Sequence, residues 1–143
     1  MLPPATPSSF TFATTIAPIL VALVFIAACA LLKEPSRQIF SAIFVAGAGA
    51  AYLGAGFGVA ELIFCMAIVP LAYRGLTDYR AIGLAWLLHS GWDLAHDLWG
   101  NPILPFAPDS SLGCFVCDPV IAIWYLLGAP SIWQRARRSG TGA

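Results

Sequence analysis

The sequence predicts an all-α fold: an integral membrane bundle of five transmembrane helices, forming one domain over 1–143, with the N-terminus outside and the C-terminus cytoplasmic. Three observations lead there. The first is composition: 59% of the residues are hydrophobic and only 10% charged, with a mean hydropathy of +0.82. A soluble domain carries about a quarter charged residues, so a water-facing surface could not be covered here. The second is a series of five apolar runs, set against the ~20 residues that a spanning helix needs. The third is charge placement. With five spans, the inner segments are 33–38, 74–80 and the C-terminal tail. They hold Lys33, Arg37, Arg74, Arg80, Arg135, Arg137 and Arg138, every basic residue of the chain. Lys and Arg of short loops stay on the cytoplasmic side. A four-span count would join the second and third helices and split the basic set between two faces.

Taken in order, the start of the chain lacks the basic n-region of a secretory signal peptide, which predicts a retained first helix. That helix covers about 12–32 and ends at Lys33-Glu34-Pro35. The second covers about 39–53 and is rich in small residues, Gly47 and Gly49 among alanines, which let helix backbones approach closely in lipid. It reads as a packing face, within the bundle or onto a helix partner. Residues 54–58 read as an outer hairpin turn. The third helix covers about 59–73, the fourth about 81–99. Between the fourth and the fifth (111–133) lie Pro102, Pro105 and Pro108, which forbid regular helix. Ile103, Leu104 and Phe106 make this segment too apolar for a solvated loop, so it is expected to fold as a rigid cap over the outer end.

The fourth run contains four ionisable side chains: His89, Asp93, His96 and Asp97. Ionisable groups inside a membrane helix are costly and by default functional. At ~100° per residue, Asp93 lies about +40° from His89, His96 about −20° and Asp97 about +80°. The first three share one stripe, with Asp97 at its edge. Glu61 and Asp118 lie near the outer ends of the third and fifth helices, so three helices converge on one level.

Imidazole and carboxylate at this spacing suit a zinc or iron site with an open position. His89, Asp93, His96 and Asp97 are the candidate metal ligands. Glu61 and Asp118 are the candidate catalytic carboxylates, completing the shell or acting as general base. His89 and His96 are two turns apart, so His96 with Asp93 and one of these acids is the easier single site. Structural alternatives stand beside this reading: His89 as a hydrogen-bonded core histidine, Asp118-Pro119 as a helix N-cap with its proline, and Asp97 as a helix end at the interface.

Cys114 and Cys117 form a CxxC that points to a second class, a thiol–quinone oxidoreductase, since a pair at a helix start can be redox-active. A local disulfide or two small core residues would explain the same spacing. A third class is non-catalytic: an accessory subunit packing through the glycine-rich helix, or an ion or proton carrier. No phosphate-binding glycine motif is present, and no nucleic-acid patch beyond the short basic tail.

The HxxxDxxH pattern of 89–96 with the Trp99-Gly100-Asn101-Pro102-Ile103 run that follows resembles a family of uncharacterised bacterial integral-membrane proteins, a domain of unknown function. The resemblance covers about the C-terminal half. It implies a multi-pass protein of the inner membrane and highlights the same residues. Two histidines often stand in that family where this chain has His96-Asp97. The function expected overall is a small membrane protein with an outer-face metal site, a hydrolase or oxidoreductase acting on a lipid or other apolar substrate.

Overall fold

A computed structural model describes residues 8–131. Five helices run through them: α1 (Phe12–Leu31), α2 (Ser36–Ala50), α3 (Val59–Gly75), α4 (Tyr79–Trp99) and α5 (Ser110–Leu126). Among the described residues there is no strand, only an isolated bridge between Leu104 and Ala107 in the cap. The fold is therefore all-α, with helices at the five expected places. The expected basic tail, Arg135 to Arg138, lies outside the described residues, as does the start of the chain up to residue 7.

α4 is the axis of the bundle. It packs most extensively on α5 and also meets α3 and α2, while α1 is held mainly by α5. The close fit of α4 on α5 depends on Gly83, where an added Cβ would stand 2.8 Å from Leu126 Cγ and 3.0 Å from the Ala122 carbonyl oxygen. On the expected packing face of α2, Gly49 serves inside the bundle: a Cβ there would lie 3.0 Å from Ile68. Gly47 has open space around it.

The two ends of the bundle differ. At one end the α1–α2 and α3–α4 connections meet. Gln38 Nε2 donates to the Gly75 carbonyl at 3.0 Å, and Arg37 Nε donates to Tyr79 Oη at 2.9 Å. Arg37 is fully buried and paired with Glu34. Lys33, Arg37, Arg74 and Arg80, the described basic residues, therefore share this end. At the other end the α2–α3 turn meets the cap, where Asn101 Nδ2 donates to the Ala55 carbonyl at 2.8 Å. Gly56, at φ 117°, leaves room for that amide: a Cβ would come within 2.6 Å of Asn101 Nδ2.

α2 covers Ser36–Ala50 where about 39–53 is expected, and α5 departs in two ways. α5 was expected to run over 111–133 but ends at Leu126. Gly128 enters the left-handed region at φ 86° and donates to the Tyr125 carbonyl, while the Ala129 amide closes back onto Trp124. A glycine just past the last turn is the usual helix stop. α5 also starts before Asp118, so Asp118-Pro119 is not an N-cap pair but lies in the helix interior.

Large apolar side chains face outward on every helix, among them Val24 of α1, Ile43 of α2, Ile63 of α3, Leu84 of α4 and Ile123 of α5. By length and composition α1 is the one described helix able to cross a membrane, and it lies near the N-terminus; α5 is a shorter apolar helix.

Candidate metal centre

Three helices build the site. The stripe on α4 faces inward, and His89, Asp93 and His96 are 2%, 0% and 1% exposed. Asp118 of α5, 3% exposed, faces them because Pro119 is accommodated inside the helix. A proline frees the carbonyl four residues earlier. That carbonyl belongs to Phe115, and Ser90 Oγ of α4 donates to it at 3.1 Å. The proline is thus satisfied across the same helix pair that holds the site.

His89 Nδ1 lies 2.8 Å from Asp118 Oδ2 and 3.1 Å from Asp93 Oδ2. Its other nitrogen, Nε2, lies 2.9 Å from the Ala48 carbonyl. A carbonyl oxygen only accepts, so Nε2 carries a hydrogen. Nδ1 then faces two carboxylate oxygens, and those contacts need a cation between nitrogen and oxygen, either a shared proton or a metal ion. Ligand atoms of His89, Asp93 and Asp118 all lie within 4.8 Å of one another, and this is the one such group among the described residues.

The donor set fits a metal. Bonds of about 2.0–2.2 Å to nitrogen and oxygen separate neighbouring ligand atoms by about 3–3.5 Å. The 2.8 and 3.1 Å spacings from His89 Nδ1 lie close to the lower end of that range, and the two carboxylates offer oxygens within 4.8 Å of each other. A metal-binding imidazole normally donates its second N–H to a carbonyl or carboxylate, which is the role of Ala48. The carboxylate of Asp93 is supported in turn: Tyr52 Oη donates to Asp93 Oδ1 at 2.6 Å and lies 2.9 Å from Ser111 Oγ. The Ile103 amide donates to the same Ser111 oxygen at 3.1 Å, tying the cap to the site.

The other sequence candidates fall elsewhere. His96 is buried one turn beyond Asp93, but its Nδ1 turns to the Asn101 carbonyl at 3.2 Å and its ring stacks on Tyr52 at 4.1 Å. The cluster forms around His89, not around His96. Glu61 caps the α2–α3 turn instead of joining the cluster: it accepts from the Phe57 amide at 2.8 Å and from the Gly54 amide. Asp97 is half-buried at the edge of the stripe and outside the group. Cys114 and Cys117 are free thiols in the first turns of α5. Both line an apolar groove of about 480 Å³ between α1, the cap and α5, with Ala17, Pro18 and Leu104 opposite.

Tyr52 and Ser111 were missed in the sequence. A lone tyrosine among the glycines and alanines of 46–58 was a signal for the first. Ser111 carried none, since its role depends on how the cap folds back.

The model of a family of unknown function, DUF6010, matches residues 13–131, and the chain belongs to that family. No curated protein and no solved structure matches it.

Proposed function

We propose that this DUF6010 member is a five-span membrane protein that holds a zinc or iron ion at His89, Asp93 and Asp118. On this reading it is a metal-dependent enzyme, a hydrolase or oxidoreductase, acting on a lipid or other apolar molecule. The convergence of one imidazole nitrogen and two carboxylates from α4 and α5 in a buried site carries the reading. Among the described residues the salt-bridge partner of the two acids is His89 rather than a Lys or Arg, so a cation at this point would offset their burial.

Membrane embedding is supported by the outward apolar side chains on all five helices and by the collection of the described basic residues at one end. That end is assigned to the cytoplasm, which puts the cluster in the outer half. α2, α3 and α5, with 15, 17 and 17 residues, are short for a span. A hydrophobic stretch shorter than the bilayer is accommodated by local thinning.

A bound metal would supply Lewis-acid activation of a water or carbonyl oxygen. The chain's own residues do the rest. His89 is oriented by Ala48, Asp93 is held by Tyr52, and the cap screens the site from water. The groove next to Cys114 offers an apolar molecule a place one helix face away from Asp118.

The test is the metal content of protein purified without chelators, wild type beside Asp93→Asn and Asp118→Asn. About one zinc or iron per chain, lost in both variants, is expected. No stoichiometric metal, even after direct titration with either ion, would leave the cluster as a site for a shared proton.

The two thiols facing the groove favour a second reading, a thiol–quinone oxidoreductase using Cys114 and Cys117. Replacing both with Ser separates the two: the metal site keeps its ion, while a dithiol activity is lost.

A further inference from the structure

Besides the cluster, α4 carries three buried ring nitrogens with no partner among the described residues, and two of them, His96 Nε2 and Trp92 Nε1, belong to adjoining side chains. The two rings meet edge to face with centroids 5.3 Å apart. Their hydrogen-bonding characters are complementary. His96 Nδ1 faces the Asn101 carbonyl, which only accepts, so Nδ1 holds the hydrogen and Nε2 presents a lone pair. The indole Nε1–H of Trp92 can only donate. Groups that could have answered them are engaged elsewhere. Tyr52 Oη is committed to Asp93 and Ser111, and Glu61 to the amides of Gly54 and Phe57.

The walls around the two nitrogens are aromatic. Tyr52 stacks on His96, Phe57 lies 4.3 Å from it, and Phe64 stacks on Trp92 at 4.6 Å. Asn101 closes the side toward the cap. Buried polar atoms in such surroundings are costly unless hydrogen-bonded. A hydroxyl has the one donor and the lone pairs that the two nitrogens lack.

We propose that His96 Nε2 and Trp92 Nε1 form a binding site for a single hydroxyl group, donated to His96 and accepting from Trp92. Water or the alcohol end of an amphiphilic molecule can supply it. The site is separate from the His89 cluster and does not need a metal there.

The chain has two histidines, so ¹⁵N-histidine-labelled protein in detergent gives two imidazole spin systems, each with an Nδ1 and an Nε2 signal, with His96 assigned by its loss in His96→Phe. Two-bond ¹H–¹⁵N spectra are recorded on wild type and Trp92→Phe, with and without 1-decanol. The expected result is the Nδ1–H form of His96 and an Nε2 signal that shifts in Trp92→Phe while Nδ1 stays in place. A saturable shift of Nε2 with decanol, abolished in Trp92→Phe, assigns the hydroxyl to an alcohol. A Trp92-dependent Nε2 position indifferent to decanol assigns it to water. The Nε2–H form, or an Nε2 signal indifferent to both changes, overturns the proposal. Unchanged His89 signals in Trp92→Phe certify its fold. If the variant does not fold, the wild-type Trp92 indole N–H decides: its amide-type exchange protection and hydrogen-bonded shift support the site, and a free-indole shift refutes it.

Discussion

Asp93 was legible at the residue scale because a carboxylate deep in an apolar run, with no Lys or Arg in that run to pair with it, needs a cation or hydrogen-bond donors. It has a donor in Tyr52 and a neighbour in His89 Nδ1. Asp118 was legible as an acid near the outer level, but its following proline suggested a cap. Whether Asp-Pro begins a helix or sits inside one depends on a tertiary hydrogen bond, Ser90 to Phe115, which no local pattern reveals. Tyr52→Phe removes one hydroxyl from between Asp93 and Ser111. Unfolding in detergent is expected to show a loss of about 1–3 kcal/mol, with metal affinity weakened about 10–100-fold, as for other groups that orient a ligand. An unchanged affinity by titration would remove Tyr52 from the support of the site. Ser90→Ala is expected to cost about 1–3 kcal/mol by leaving the Phe115 carbonyl without its partner, with α5 retained by circular dichroism.

The five helices were readable as elements from apolar runs and punctuation, and their ends less so. α5 ends at Leu126 rather than running to 133 because the chain turns left-handed at Gly128. The apolar residues beyond Leu126 look the same in sequence whether helical or not. The small residues of α2 were read as a packing face, and which glycine does the packing required the neighbours. Gly83→Ala drives a Cβ against Leu126 and the Ala122 backbone. Overpacking of this kind costs about 1–3 kcal/mol, and the expected thermal midpoint falls accordingly. Gly47→Ala meets nothing, and the better helix propensity of alanine gives an expected gain of up to about 1 kcal/mol. Equal effects of the two substitutions would contradict the close α4–α5 approach.

For the whole molecule, the segregation of polar groups has a direction. The described basic residues collect at one end, the His89 cluster lies toward the cap, and Val45, Ile82, Ala85 and Ala122 between them are buried and apolar. Among the described residues these apolar side chains pack between the ends, which favours a site served from the cap or the groove over a conduit through the bundle. Reporters fused after Thr77 and after Phe106 test the arrangement. The first is expected to be active only as a cytoplasmic fusion and the second only as an exported one. The same location for both would overturn the five-span reading.

The measurement closest to the central claim is the X-ray absorption fine structure of the metal-loaded protein. A first shell of nitrogen and oxygen without sulfur, disrupted in Asp118→Asn, is the result predicted from His89, Asp93 and Asp118. A sulfur shell, pointing to Cys114 and Cys117, or a shell unchanged in Asp118→Asn would contradict it.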